Sequence, residues 1–336
     1  MHSFIFGSKS RALTYAKGLV CICAVVIVAL EISSNFLLKH RSLTYDRISR
    51  EYDDAQKIRH SGPSETPSVL MVGNSLLLHG VQVDRLQAMT SSSMRIYPVF
   101  LEATGYYDWF YALQRLFRDG ARPNVVVVGV GVNYFMKSGV REDYVPMLFF
   151  DAKDALAVAS DMKLDHTATS NLLLEHSSTF WDTRGAIRMQ VLSHMVPHLE
   201  DLFLLVNPKP TVPEGREFAE IAIPRLTRLH ALCESYGAKL ILLLPPTLSS
   251  AHAVNQMTYD AQAAGVEVSV PVDPDALSKN FFLRDGMHLN HDGAMIFTSA
   301  LAKDLPARIS AGDTLASSTP RRISPIADPS QTDSKP

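Results

Sequence analysis

The stretch NVVVVGVG, residues 124–131, is almost entirely β-branched and apolar, and it constrains the fold more than any other feature. A strand with one wet face alternates apolar and polar residues, so a strand without polar positions must be covered on both sides. Further strand signals stand at 69–73, 95–100 and 240–244, with a shorter one at 266–270. Helical patterns separate them at 76–89, 108–118, a long stretch ending near Gly237, and 292–305. Pro224 marks either a kink in the third of these or its true start. Strand alternating with helix predicts an α/β fold, with a central parallel sheet of about five strands and helices on both faces.

The regions outside this pattern divide the chain. Residues 18–38 are apolar over a length that crosses a bilayer as a helix, about 20 residues. Glu31 interrupts the run, and a carboxylate there is costly unless it lies near the interface or meets a partner. The uninterrupted core, 18–30, has the length of a signal-peptide h-region. No small-x-small cleavage site follows it directly, so residues 1–38 are read as a tail and an uncleaved anchor. Lys9, Arg11 and Lys17 precede the run and Lys39, Arg41, Arg47 and Arg50 follow it, so charge does not set the topology. Residues 39–66 are polar, end in SGPSETP and read as a stalk. The main folded domain is expected over 67–308. Its rhythm fails at about 135–214, as expected of a helical insertion over one rim of the sheet. The Ser-, Thr-, Pro- and Asp-rich tail, 309–336, is expected to be disordered.

A net charge of −2 argues against a nucleic-acid-binding surface. Of three cysteines, Cys21 and Cys23 lie in the apolar run, which leaves Cys233 without a disulfide partner elsewhere.

The strand at 69–73 stops at Gly73-Asn74-Ser75, leaving a hydroxyl at the carboxyl end of a strand, where α/β sheets hold their chemistry. A serine needs a base to take its proton and a third group to orient that base. FFLRDGMHLNHDGA supplies Asp285 and His288, three residues apart before the last helix, so the carboxylate can hold one ring nitrogen while the other meets a hydroxyl. The order Ser, Asp, His suits a sheet enzyme whose base arrives on the last connection. Candidate oxyanion donors are the backbone N–H groups of Ser75 and Gly105 and the side-chain amide of Asn133, all after strand ends. Taken singly, Ser75 reads as a helix cap, Asp285-Gly286 as a turn, His288 as a loop histidine and Asn133 as a turn cap. His194 and His198 lack the glutamate of a zincin motif and have Pro197 between them. Asp285, His288, His291 and Asp292 could crowd a metal, but helix capping accounts for Asp292, and neither metal nor cofactor is expected.

As a set, these blocks resemble the SGNH (GDSL-type) hydrolase family: GNSLL as its first block, Gly105 as the glycine of its second, GVN (131–133) as its third and DGMH as its last. The resemblance spans residues 69–305. It implies a three-layer flavodoxin-like sandwich, with Ser75 as nucleophile, His288 as base, Asp285 as its orienter, and Ser75, Gly105 and Asn133 as oxyanion donors. The sequence departs from the family pattern at Asn74, where aspartate is usual, and at Tyr134, where aspartate is common.

The implied activity is that of a membrane-anchored esterase or deacetylase. It would act through an acyl-enzyme on O-acyl, above all O-acetyl, esters of an envelope or secreted glycan, with the domain periplasmic or otherwise extracytoplasmic. A multi-spanning membrane acyltransferase is the implied protein partner. The same triad would serve a polysaccharide O-acetyltransferase, and a non-catalytic scaffold in an acyltransferase complex is the further alternative. Tyr106, Tyr107, Trp109, Tyr134 and Phe135 could stack on sugar faces, although packing against helices is the plainer role for most.

Overall fold

The computed structural model describes residues 6–62, 64–197, 199, 212–248 and 251–316. Helix α1 (Phe6–Arg41) leads through Ser42 into α2 (Leu43–Gln56). Then come β1 (Ser68–Gly73), α3 (Ser75–Gly80), α4 (Val83–Thr90), β2 (Arg95–Phe100), α5 (Tyr106–Arg118), β3 (Val125–Gly129) and α6 (Val132–Met136). Four helices follow: α7 (Val145–Leu148), α8 (Ala152–Asp161), α9 (His166–Ser177) and α10 (Thr179–Met195). The pattern resumes with α11 (Gly215–Ser235), β4 (Lys239–Leu243), α12 (Ala251–Ala263), β5 (Glu267–Ser269) and α13 (His291–Ala316). The helical run expected at 76–89 is two helices, broken at Val81 and Gln82. Pro224 lies inside α11 rather than at its start.

The five strands are all parallel in the order β2-β1-β3-β4-β5, the doubly wound order of flavodoxin-like sheets. Their apolar runs are split between the faces with period two. Leu70, Val72, Val126, Val128, Leu240 and Leu242 pack toward α2, α5, α11 and α12. Val69, Met71, Val125, Val127, Ile241 and Leu243 pack toward α3, α4 and α13. Two helical layers thus enclose the sheet, as the apolar strands required.

The segment read as a stalk is part of this body. Ile48, Tyr52 and Ala55 of α2 are buried in the core, and Ile58 follows them. These apolar residues recur at helical spacing within a polar sequence, so composition hid the buried face. The insertion also differs from expectation. It leaves the carboxyl edge of the sheet and packs outside the α2/α5 layer. There Phe149 stacks on Tyr52 at 5.1 Å, and Arg118 of α5 binds Asp154 at 2.6 Å. Its return, at Val212 to Glu214, comes back to the carboxyl edge of the sheet, where those residues line a cavity. Helix α13 continues to Ala316, past the expected start of the tail at 309; residues 317–336 lie outside the described residues.

Helix α1 is long and apolar enough to cross a membrane over Leu13–Arg41, and the side chains described in its apolar stretch are exposed as far as Leu30. Glu31 has found a partner. Its carboxylate accepts from Ser178 Oγ at 2.7 Å, Thr179 N–H at 2.7 Å and Phe180 N–H at 3.1 Å, satisfying orphan donors at the start of α10.

Adjacent strands β1 and β3 end in register at Gly73 and Gly129, and Leu77 of α3 lies over both. A Cβ on Gly129 would stand 2.3 Å from Leu77 Cδ1, and one on Gly73 2.3 Å from the Gly129 carbonyl oxygen. Gly73→Ala, blocked by backbone, is expected to lose about 1–3 kcal/mol or more. Gly129→Ala meets a side chain instead, so its loss should be partly offset in combination with Leu77→Ala. Denaturant unfolding of the three single variants and the Gly129/Leu77 double variant measures both effects; strictly additive losses would contradict the steric account.

Candidate active site

The nucleophile turn is built by one amide. Asn74 is fully buried; its Oδ1 accepts from Leu76 N–H at 3.0 Å and its Nδ2 donates to the Thr104 carbonyl at 3.2 Å. Asn74, not Ser75, is therefore the N-cap of α3, and Ser75 is the first helical residue, with no acceptor for its N–H within the helix. The departure from aspartate at this position has a physical reason: the amide supplies a donor to Thr104, where a carboxylate would face a carbonyl oxygen. The turn thus joins the β2–α5 loop. That loop carries local strain, with Ala103 at φ 60°.

The base arrives from the other end of the chain. The segment between the single helical turn at Lys279–Phe281 and α13 folds back on itself, with Leu283 N–H on the His288 carbonyl at 2.7 Å and Gly286 at φ 67° allowing the turn. His288 Nδ1 lies 2.6 Å from Asp285 Oδ2, and His288 Nε2 lies 2.8 Å from Ser75 Oγ. Asp285 Oδ1 also accepts the N–H groups of Met287 at 2.8 Å and His288 at 3.0 Å. Burial alone would raise the Asp285 carboxyl, but these bonds prevail and hold it below the usual carboxylate range, so it stays charged opposite the ring. The structure brings together all three expected triad residues. Their arrangement places a proton acceptor on a serine hydroxyl and a fixed anion behind that acceptor.

One expected oxyanion donor is already engaged. The Gly105 N–H donates to Asp108 Oδ2 at 2.7 Å, so it does not point into the site. The residue has a different use: a Cβ there would stand 2.4 Å from the Tyr134 carbonyl oxygen, so glycine lets the loops after β2 and β3 close on each other. Asp108, wholly enclosed, also accepts from Arg141 N–H at 2.8 Å; burial pushes its carboxyl up to about 6 despite these bonds. The remaining donors are the Ser75 N–H and the Asn133 amide. Asn133 is half-buried and lines a cavity of about 570 Å³ beside Asp285, Gly286 and Met287. Phe218, Leu248 and Ala253 give that cavity apolar walls, and Glu214, His252, Gln256 and Lys279 give it polar ones.

Two residues beside the site, His79 and Arg225, escaped the sequence reading. His79 presents its ring edge-on to His288, with centroids 5.0 Å apart, and walls the catalytic imidazole. Burial, with the neighbouring His288 charge, pulls the His79 pKa down. Its position four residues after Ser75 on one helix was the available signal. Tyr134 feels the Asp285 charge: burial first, then that carboxylate, raises its phenol. Arg225 of α11 binds the carbonyls of Phe135 at 2.5 Å and Lys137 at 3.0 Å, and its guanidinium sits 5.1 Å and 5.0 Å from the ring centres of Tyr106 and Tyr107. It ties the Asn133 loop to the first turn of α5, and nothing local in the sequence marks it. Tyr106, Trp109 and Phe135 are buried in the core and are not sugar platforms; Tyr107 and Tyr134 are half-buried.

No family model matches the sequence, and no curated protein matches it. Among solved structures, a GDSL-like lipase from Bacteroides thetaiotaomicron is similar at 12% identity and TM-score 0.39, over 80% of this chain and 98% of its own. An acetyl xylan esterase from Geobacillus stearothermophilus is similar at 11% identity and TM-score 0.38, over 74% of this chain and 95% of its own. A carbohydrate esterase family 3 protein from Talaromyces cellulolyticus is similar at 10% identity and TM-score 0.36, over 73% and 99%.

Asn74→Asp would bury a charge against the Thr104 carbonyl, and a loss of about 2–4 kcal/mol is expected in denaturant unfolding; an unchanged midpoint would refute the role given to the amide. Arg225→Met is expected to lower the turnover of a model ester about 10- to 100-fold through misplacement of Asn133. Arg225→Lys should restore part of that rate. Turnover equal to the parent in Arg225→Met, with the same melting temperature, would remove Arg225 from the site's support.

Proposed function

We propose that this chain is a membrane-anchored serine esterase of the SGNH type, which cleaves O-acyl esters through an acyl-enzyme. The observation that carries the reading is the continuous relay from Asp285 through His288 to Ser75 Oγ, with both bonds at 2.8 Å or less. Ser75 Oγ attacks the ester carbonyl carbon as its proton passes to His288 Nε2. Asp285 stabilises the imidazolium that forms. The developing oxyanion is held by the Ser75 N–H and the Asn133 amide. When the tetrahedral adduct collapses, the carbonyl–alkoxide bond breaks and the leaving alkoxide takes the proton from Nε2. Water then gives its proton to Nε2 and adds to the acyl carbon, and Ser75 recovers its hydrogen as the acid departs.

The substrate class proposed is an O-acetyl ester on an envelope or secreted glycan, handled outside the cytoplasm. The mixed walls of the cavity at Asn133, apolar at Phe218 and Leu248 and polar at Gln256 and Lys279, suit a ligand with hydroxyls and hydrophobic ring faces. A sugar hydroxyl in place of water would make the same site an O-acetyltransferase, working beside a multi-spanning acyltransferase that supplies the acyl group. A purely structural scaffold has no use for a hydrogen-bonded relay, and the intact triad favours catalysis over that alternative.

The test is acetate release from an acetylated model ester by the full-length protein in detergent, with and without a sugar acceptor. Ser75→Ala is expected to lose at least about 10³-fold in rate and all fluorophosphonate labelling. Acetylated sugar as the main product would identify a transferase. Equal rates in parent and Ser75→Ala would overturn the assignment.

A further inference from the structure

The membrane helix joins the folded body at a defined edge. Ser42 caps α2, and α2 begins where β2 ends: Arg47 donates to the Phe100 carbonyl at 2.6 Å, and Glu51 accepts the Phe100 N–H at 3.0 Å. The helix then runs against the strand direction. Beyond its far end, Ile58 accepts from Arg122 N–H at 3.0 Å, and Ser61 N–H binds Asn124 Oδ1 at 3.0 Å, just before β3 begins. Residue 42 is therefore on the carboxyl edge of the sheet, the edge that carries Ser75 and Asn133. The opposite edge lies a full α2 away, about 21 Å at 1.5 Å per residue.

A second set of contacts holds α1 to the same neighbourhood. Ser42 Oγ meets Tyr144 Oη at 3.5 Å on the segment that leaves Asn133, and Glu31 caps α10. The exposed stretch from Leu13 to Leu30 spans about 26 Å, close to the ~30 Å hydrocarbon thickness, whereas Glu31, Ser34 and Leu38 pack against the body. With Glu31 at the boundary, Ser42 stands about 16 Å farther along the helix. Exposed apolar side chains occur on this side of the body: Leu43, Leu248 and Leu283, the last two beside the triad loop. Ile187, Val191 and Met195 are exposed on α10, the helix that α1 caps.

We infer that the catalytic edge is the membrane-proximal edge of the domain, so that Ser75 works on esters presented at the bilayer surface rather than on ones free in bulk water. The inference rests on the anchored-esterase reading and adds to it where the substrate must stand. The partner surface is the lipid headgroup layer, faced by the exposed apolar side chains of Leu248 and Leu283, with the exposed Arg284 next to Leu283 in the chain suiting an anionic headgroup.

Energy transfer to the membrane tests it. Full-length protein carrying Cys21→Ala and Cys23→Ala is placed in phosphatidylcholine vesicles containing an acceptor-labelled lipid. Ser75 is labelled with a fluorescent fluorophosphonate, and in a second sample a thiol dye is attached through Lys57→Cys near the opposite edge. Transfer from the Ser75 probe should be about twofold stronger or more, given a separation near 20 Å. Equal transfer, or stronger transfer from the Lys57→Cys probe, overturns the orientation. Protein that fails to float with the vesicles, or gives no transfer from either probe, overturns it through the anchor. If Ser75 takes no label, the esterase reading fails separately, and Leu283→Cys reports the position of the same edge by the same comparison.

Discussion

Two parallel strands ending side by side in glycine set the conditions for everything else in this protein. Parallel pairing aligns Gly73 with Gly129, and the missing side chains leave room for Leu77 directly above both. That space lets the chain turn into α3 one residue after the strand, so Ser75 sits at the sheet margin rather than a loop's length above it. Asn74 then closes the turn with its two amide atoms, one on each side. The close packing at Gly73 and Gly129 and the two bonds of Asn74 hold the backbone beneath the hydroxyl, and a nucleophile held in place needs little reorganisation when the base meets it.

The electrostatics of the site follow from that geometry. Asp285 spends one oxygen on two backbone N–H groups and the other on the imidazole, an arrangement that favours its charged form over the cost of burial. Charge is thereby fixed on the side of His288 away from Ser75, where it orients the ring and compensates a proton passed to it. His79 bounds the ring from a further side without competing for Ser75. The oxyanion side is braced from farther away. Asp108 accepts backbone N–H groups from the segments after β2 and β3, Arg225 binds carbonyls after β3 from beside the rings of Tyr106 and Tyr107, and Gly105 lets those loops touch. The same glycine that the family pattern marks as a donor serves here as a point of close approach.

Helix α1 and the folded body are joined by a contact at Glu31. A carboxylate inside an apolar helix is a liability in lipid, and in this chain it is satisfied by the exposed N–H groups that begin α10. Each end of that contact solves a problem for the other: the helix start loses its orphan donors, and the carboxylate gains hydrogen bonds at the edge of the apolar stretch. The insertion therefore connects α1 to the layer that supports the loops after β2 and β3.

How much of this could be read from residues alone depended on the range of the interaction involved. Apolar strands without a polar face determined a two-sided sheet, the turn residues after them placed Ser75 and Asn133 at strand ends, and the spacing of Asp285 and His288 placed that pair on the loop before the last helix; these are local signals with a period or a spacing. The buried face of α2 was weaker, because Ile48, Tyr52 and Ala55 are scattered among charges that dominate the composition. The engagement of the Gly105 N–H by Asp108 is a helix-capping contact at i, i+3 that competes with the oxyanion role, and the Arg225 brace and the partner of Glu31 were not written in any local pattern. They are contacts between residues distant in the chain or choices among competing acceptors, and only the folded backbone, by bringing particular donors and acceptors within bonding distance, decided them.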